Sequence, residues 1–329
     1  MHSIDLKKYD LRSDLIIEDS NHYKKDSYKY KDIIVDYIHL DKDDYKKKGD
    51  YITISFNDIT DSDNEMNLLK ILDKELNRIL KLSNIKNNDK CLIIGLGNNK
   101  STPDSLGSEV LNNITVTRYL DELNLMDRSY RNVSILEPNV IGNTGIDSFD
   151  IIESVIKKIK PDFIITIDSL AAINISRIEK TIQITNSGIA PGSGIGNNRK
   201  ELSKSSLNIP VIAIGVPTVV SSSVIVNDTI NYLTKKISYQ KNNYKKDKLV
   251  LDNNLNYLKV ESDLSKNERE KLLGIVGTLS DNEIKRLVYE VLNPIGYNLI
   301  VSTKEIDFTI KKFGKIIGNS LNNVLHKTK

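Results

Sequence analysis

The chain has a single cysteine, Cys91, so neither a disulfide framework nor a cysteine-rich zinc site can be built from it. Its four histidines, His2, His22, His39 and His326, all lie outside the glycine-rich centre where the motifs gather. Histidine triads, Cys–His pairs and HExxH zinc sites are therefore not expected there. Hydrolytic chemistry in the centre has to run on Asp, Glu, Ser, Thr or Lys. No charge sign dominates either: 47 basic against 44 acidic residues leave +3, too even for an electrostatic grip on nucleic acid. The N-terminus, MHSIDLKKYDLRSDL, lacks the apolar core of a signal peptide. The longest apolar stretch, around VIAIGVPTVV, falls well short of the roughly 20 residues that span a bilayer. A cytoplasmic protein without a membrane partner is the expectation.

What is present is a globular composition, 39% hydrophobic and 28% charged over 329 residues, long enough to bury a sizeable core. After a polar start rich in Tyr, Lys and Asp, strands are expected at Ile33–Val35 and Tyr51–Phe56. A helix is expected over Met66–Leu82, where Leu68, Leu69, Leu72, Leu76, Ile79 and Leu80 recur at helical spacing. CLIIGLG from Cys91 reads as a buried strand and loop, with Pro103 opening the next helix. VSIL from Val133 reads as a strand, PNVIGNTG as a loop and Asp147–Ile159 as a helix. FIITID from Phe163 is a strand ending on Asp168, and TIQIT and VIAIGVPT are two more. Strands nearly continuous in Val, Ile and Leu, alternating with helices, imply an α/β fold: a three-layer sandwich around a mixed, mostly parallel sheet. Lys235–Lys248 reads as an exposed basic loop within a loop region near 235–262, and helices return at Lys266–Val276, Asp281–Leu292 and Thr303–Leu325.

Three places can carry chemistry. GLGNNKSTPDSLG from Gly95 hints at a phosphate loop, but Asn99 stands where a Walker motif needs glycine before the lysine. The same segment carries Asp104, just past a strand's carboxyl end, the edge where open α/β sheets bind ligands. Taken alone, Asp104 reads more readily as a stabiliser of a helix N-terminus. Asp168 shifts the balance, because it closes an apolar run at the same edge, and a carboxylate there is costly to desolvate unless it is paired or used. Two such carboxylates can share one proton, leaving an acid beside a base that together activate water and protonate a leaving amine. The alternative is two separately capped aspartates that never meet. The third place is IAPGSGIGNNRKE from Ile189. Gly192, Gly194 and Gly196 miss the dinucleotide spacing, since Asn197 occupies the third glycine position, but they let a substrate backbone approach closely. A ligand-free crossover is the other reading.

The ordered series GLGN…TPDSLG, PNVIGNTGI, PDFIITIDSLAA, TIQITNSGIAPGSGIGNNRKEL, IPVIAIGVPTVV and GTLSDNEIKRLVYEVLNPIGYNLIVSTKEID resembles the germination protease family of spore-forming bacteria. The resemblance implies an atypical aspartic endopeptidase of hydrogenase-maturation-peptidase and phosphorylase-like fold, with no cofactor and no metal. It implies a self-processing zymogen and homotetramer in the forespore or spore core. Its substrates would be small acid-soluble DNA-protecting proteins. The family's two aspartates fall on Asp104 and Asp168. Its processing segment falls on LRSDLIIE, which puts the cut between Asp14 and Leu15, leaving residues 1–14 as propeptide and 15–329 as a single peptidase domain. Gly192, Ser193, Gly194 and Gly196 would line the substrate cleft, with Lys200 or Arg199 reading the acidic residue before the cut. The chain departs from the family at Ala190, Ile173 and Ser221, where His, Arg and Asp are usual. The alternatives are a hydrogenase-maturation-type peptidase, a catalytically impaired spore-protein binder, and nucleotide binding through the glycine loops.

Overall fold

Two stretches of sequence with different habits meet in one sheet. The computed structural model describes residues 14–18, 23–44, 46–127, 129–191, 200–243, 256–259, 261–296 and 299–326. In chain order its elements are β1 (Lys25–Tyr30), β2 (Ile33–Leu40), β3 (Gly49–Ser55), α1 (Ser62–Leu82), β4 (Cys91–Gly95), α2 (Leu106–Leu111), α3 (Arg118–Glu122), β5 (Val133–Leu136), α4 (Ile141–Thr144), α5 (Ser148–Ile159), β6 (Phe163–Ala172), β7 (Thr181–Thr185), α6 (Lys204–Leu207), β8 (Val211–Ser221), α7 (Ser222–Asn243), α8 (Lys266–Leu273), α9 (Asp281–Leu292), β9 (Ile300–Val301) and α10 (Ile306–Leu325). They fall into two compact units. The larger holds the described residues of 11–172, 176–219 and 302–329, and the smaller those of 173–175 and 220–301.

In the larger unit the strand order is β1-β2-β3-β7-β8-β6-β4-β5. The fold is α/β as expected, but the sheet is mostly antiparallel, not mostly parallel. β1, β2, β3, β7 and β8 pair antiparallel in succession, while β4 runs parallel to both β5 and β6. The reason lies in the connections. β1 and β2 are joined by two residues only, Lys31 with φ +53° and Asp32, and so short a link allows nothing but a hairpin. Strand β4 is joined to its parallel neighbours by helical crossovers, with α2 and α3 before β5 and α4 and α5 before β6.

Alternation along each central strand sends side chains to two hydrophobic clusters. Cys91 and Ile93 of β4 join the cluster that contains Leu68, Leu72 and Leu76 of α1 and Phe313 and Ile317 of α10. Leu92 and Ile94 join a second cluster with Ile152 and Ile156 of α5. Helix α1 begins where the Asp61 carboxylate accepts the Asp63 and Asn64 backbone N–H groups at 2.9 and 3.0 Å. Its apolar stripe faces the sheet. Helix α10 comes close to α2 because of two glycines: a Cβ on Gly314 would lie 2.8 Å from the Glu109 backbone, and one on Gly318 2.5 Å from Asn113 Cβ.

In the smaller unit α8 and α9 each start with a reciprocal cap, Ser265 with Glu268 and Ser280 with Glu283. Helix α7 differs from expectation, since it carries Lys235–Asn243 as helix rather than loop. Lys236 and Lys241 are exposed and Lys235 is half-buried, while Ser238 is buried and bonded to Asp263, and Lys241 pairs with Glu268 at 2.8 Å. The rest of that run, 244–248, lies outside the described residues. Among the described residues no helix is long and apolar enough to cross a membrane.

Candidate active site

The carboxyl end of β4 is shaped by glycine. Gly95 lies so near α2 that a Cβ would sit 2.7 Å from the Gly107 backbone, and a Cβ on Gly107 would sit 2.4 Å from Leu96 O. The next residue, Leu96, donates its N–H to Ile167 O on β6 at 2.8 Å. Gly97 then turns with φ +102°, and any side chain there would strike Asp104, 2.1 Å from its backbone oxygen and 2.9 Å from its Oδ1. The loop closes on itself: Asn98 N–H donates to Asp104 O at 2.9 Å and Asp104 N–H to Ser101 O at 2.8 Å. Residues Thr102–Asp104 form one 3-10 turn packed against β6, with Asp104 half-buried.

Asp168 stands on β6, and here the expectation needs correcting. The strand does not end on Asp168 but continues to Ala172. Asp168 is buried within it, its Oδ1 accepting the N–H of Ser169 at 2.9 Å. The continuation carries SLAA, whose small and apolar residues sustain an extended chain. Because β4 and β6 are parallel with Gly95 opposite Ile167, Asp104 and Asp168 come to the same edge of neighbouring strands, on either side of the Leu96–Ile167 bond. A neighbouring strand holds the turn in place, as buried Thr218 of β8 donates its hydroxyl to Pro103 O at 2.7 Å.

The Asp14–Leu15 junction is also part of this face. Asp14 Oδ2 accepts the Ala171 N–H at 2.9 Å, three residues beyond Asp168. Gln183 of β7 donates through Nε2 to Asp14 O at 3.1 Å and accepts the Ile16 N–H on Oε1 at 2.7 Å. Leu15 and Ile16 are fully buried, and Ile16 packs with Ile38, Leu40 and Tyr51. Burial pushes the Tyr51 phenol up to about 12, so this apolar wall stays uncharged.

Lys200 is an exposed residue whose Nζ lies 3.6 Å from Asp150 Oδ1 and over the Phe149 ring. It lines a small hollow with Gly97, Phe149 and Pro191. Gly192, Ser193, Gly194, Gly196 and Arg199 lie outside the described residues. The base of their loop is closed by paired bonds between Ile189 and Leu202, at 2.9 and 2.8 Å. Of the departures, Ser221 pairs its hydroxyl with Ser223 at 2.7 Å, and the Ile173 carbonyl accepts Lys285 Nζ at 3.1 Å. Among the described residues no three His, Cys, Asp or Glu side chains converge as a metal site.

Sequence reasoning missed Gln183 and Thr218. The signal for Gln183 was available: Ile182 and Ile184 of TIQIT enter the main cluster, so alternation sends Thr181, Gln183 and Thr185 to the opposite face. Thr218 had no such signal, because its partner is 115 residues away.

The whole chain is also similar to known proteins. The family model described as germination protease matches residues 7–329. A germination protease of Priestia megaterium is 44% identical over 290 residues, covering 85% of this chain and 78% of the relative. That of Bacillus velezensis is 43% identical with 85% and 79% covered. That of Bacillus licheniformis is 40% identical with 98% and 95% covered. The chain belongs to the germination protease family.

Proposed function

We propose that the protein is a self-processing aspartic endopeptidase that opens the degradation of small acid-soluble DNA-binding spore proteins at germination, cutting after an acidic residue. Asp104 and Asp168 hold one proton between them. The ionised carboxylate removes a proton from water as the water oxygen attacks the peptide carbonyl carbon. The protonated partner gives its proton to the leaving nitrogen as the C–N bond breaks. The observation that carries this reading is that half-buried Asp104, in the turn that follows β4, and buried Asp168, within β6, lie toward the carboxyl side of one parallel strand pair. The propeptide reading is supported by the buried, hydrogen-bonded state of the Asp14–Leu15 junction beside β6. Helix residues in both clusters that flank β4 support a three-layer sandwich of the phosphorylase and hydrogenase-maturation-peptidase type. Family membership supports a homotetramer acting in the forespore or spore core.

The test is mass spectrometry of the full chain, alone and with a small acid-soluble spore protein, under acidic and neutral conditions. The expected products are a chain beginning at Leu15 and fragments ending in Glu or Asp. A chain that stays whole and leaves the spore protein intact under both conditions counts against the reading. It would favour the impaired binder that the departures at Ala190, Ile173 and Ser221 suggest.

A further inference from the structure

Gln183 is a buried carboxamide in the middle of a strand, and one short segment uses both of its ends. Its Nε2 reaches the carbonyl oxygen of Asp14 and its Oε1 the N–H of Ile16, on the two sides of Leu15. The Asp14 side chain reaches across to β6, where Ala171 N–H holds the carboxylate. Gln183 pairs with Gly215 of β8, and β8 is the neighbour of β6. The strand carrying Gln183 is therefore two strand spacings from the strand carrying Asp168, roughly 10 Å between axes. Gly215 itself carries no side chain, and a Cβ there would lie 2.5 Å from Leu170 Cδ1 of β6.

We propose that Gln183 is the oxyanion donor of the cleavage reaction, with Ala171 N–H holding the acidic side chain before the cut. This rests on the peptidase reading above, since it takes Asp14–Leu15 as the bond cleaved, and it extends the same three contacts to the acid–apolar segment of a protein substrate. The carbonyl that Gln183 Nε2 touches is the one attacked. As the water oxygen bonds to the Asp14 carbonyl carbon, the π electron pair moves onto the carbonyl oxygen, and the water proton passes to the dyad. The oxyanion collapses, the C–N bond breaks, and the Leu15 nitrogen takes the dyad's other proton, leaving an Asp14 carboxyl and a Leu15 amine. A donor already aimed at that oxygen binds it more strongly as charge develops and needs no reorganisation. The Ile16 bond to Oε1 stops the carboxamide from rotating and so keeps Nε2 on the carbonyl. A main-chain N–H at Ala171 suits the preceding residue, because its bond to a carboxylate is charge-assisted and its bond to an amide oxygen is not.

Two measurements test the assignment. The first is the rate at which the full chain acquires a Leu15 N-terminus, for wild type, Gln183→Leu and Gln183→Glu, with circular dichroism to confirm folding. Assayed at neutral pH with its carboxylate ionised, Gln183→Glu keeps an acceptor for Ile16 N–H but has no donor for the carbonyl, and both variants should slow by about 100-fold or more. The second leaves the protein unaltered. The wild-type chain, once processed, is given Asp–Leu–Ile peptides with and without an N-methyl group on the Ile nitrogen, and the methylated peptide should be cut roughly three- to tenfold more slowly. A folded Gln183→Glu chain that processes at the wild-type rate, or equal cleavage of the two peptides, overturns the assignment while leaving the dyad standing. If a variant fails to fold, the peptide pair decides alone. A wild-type chain that never cuts after an acid overturns the peptidase reading and this assignment together, and normal processing by Asp104→Asn sinks the dyad without touching Gln183.

Discussion

Thr218 donates its hydroxyl to the carbonyl oxygen of Pro103 at 2.7 Å, so a strand that carries neither aspartate holds the turn that presents Asp104. Thr218 is wholly inaccessible, and the bond is part-buried because Pro103 is only half-buried. Thr218→Val keeps the shape of the side chain but leaves the Pro103 carbonyl without that donor, which costs about 1–3 kcal/mol. Denaturant midpoints should fall accordingly, and self-processing should slow as Asp104 loses its support, while Thr218→Ser should recover both. A stable but slow Thr218→Val chain would fit positioning alone. Unchanged processing would show that the turn keeps its place without this bond.

The two aspartates should behave as one unit. Asp104→Asn and Asp168→Asn should each abolish most processing while the fold survives, and the double variant should be little worse than either, because a shared-proton pair fails when one member is lost. Chelators should leave the rate unchanged. Activity that disappears with a chelator and returns with a divalent metal would point to a metal-dependent peptidase instead.

Lys200 was the expected reader of the acidic residue, yet its charge lies beside Asp150, and its side chain is 68% exposed. An exposed pair of this kind contributes little to stability, about 0–1 kcal/mol. Lys200→Met should therefore leave both the unfolding midpoint and the preference for Glu over Gln before the cut nearly unchanged. Loss of that preference in peptide competition would assign the role to Lys200 rather than to Ala171.

His326 gives the protein a pH dependence of known sign. Burial of the ring, 3% exposed, lowers its pKa and the nearby Arg131 charge adds to the shift, while the bond from the ring to Thr115 O at 3.1 Å works the other way. The unfolded chain, with a histidine pKa of about 6.5, binds that proton more readily. Stability from this group is thus complete above about 6.5 and is lost as the pH falls from there toward the folded-state pKa. Melting temperature should drop between pH 7.5 and 5.5, and His326→Gln should lower the melt at pH 7.5 and flatten the slope. An equal slope in the variant would assign the pH response to other groups.

Much of this molecule was legible locally. The stripe of α1, the bounds of α9 and the apolar run of β4 follow from spacing within a few turns or residues, where each side chain's partner is a near neighbour in sequence. The parallel pairing of β4 with β6, which sets Gly95 opposite Ile167, joins two apolar runs that read as buried strands from sequence alone. What depended on pairing between distant segments was not legible. The antiparallel half of the sheet, the course of β6 past Asp168, the bond from Thr218 to Pro103 and the grip of Gln183 on a segment 169 residues away exist only once the strands have been ordered side by side. Local propensity chooses helix or strand; strand order and register are decided by which buried faces fit together, and that choice is made over the whole chain at once.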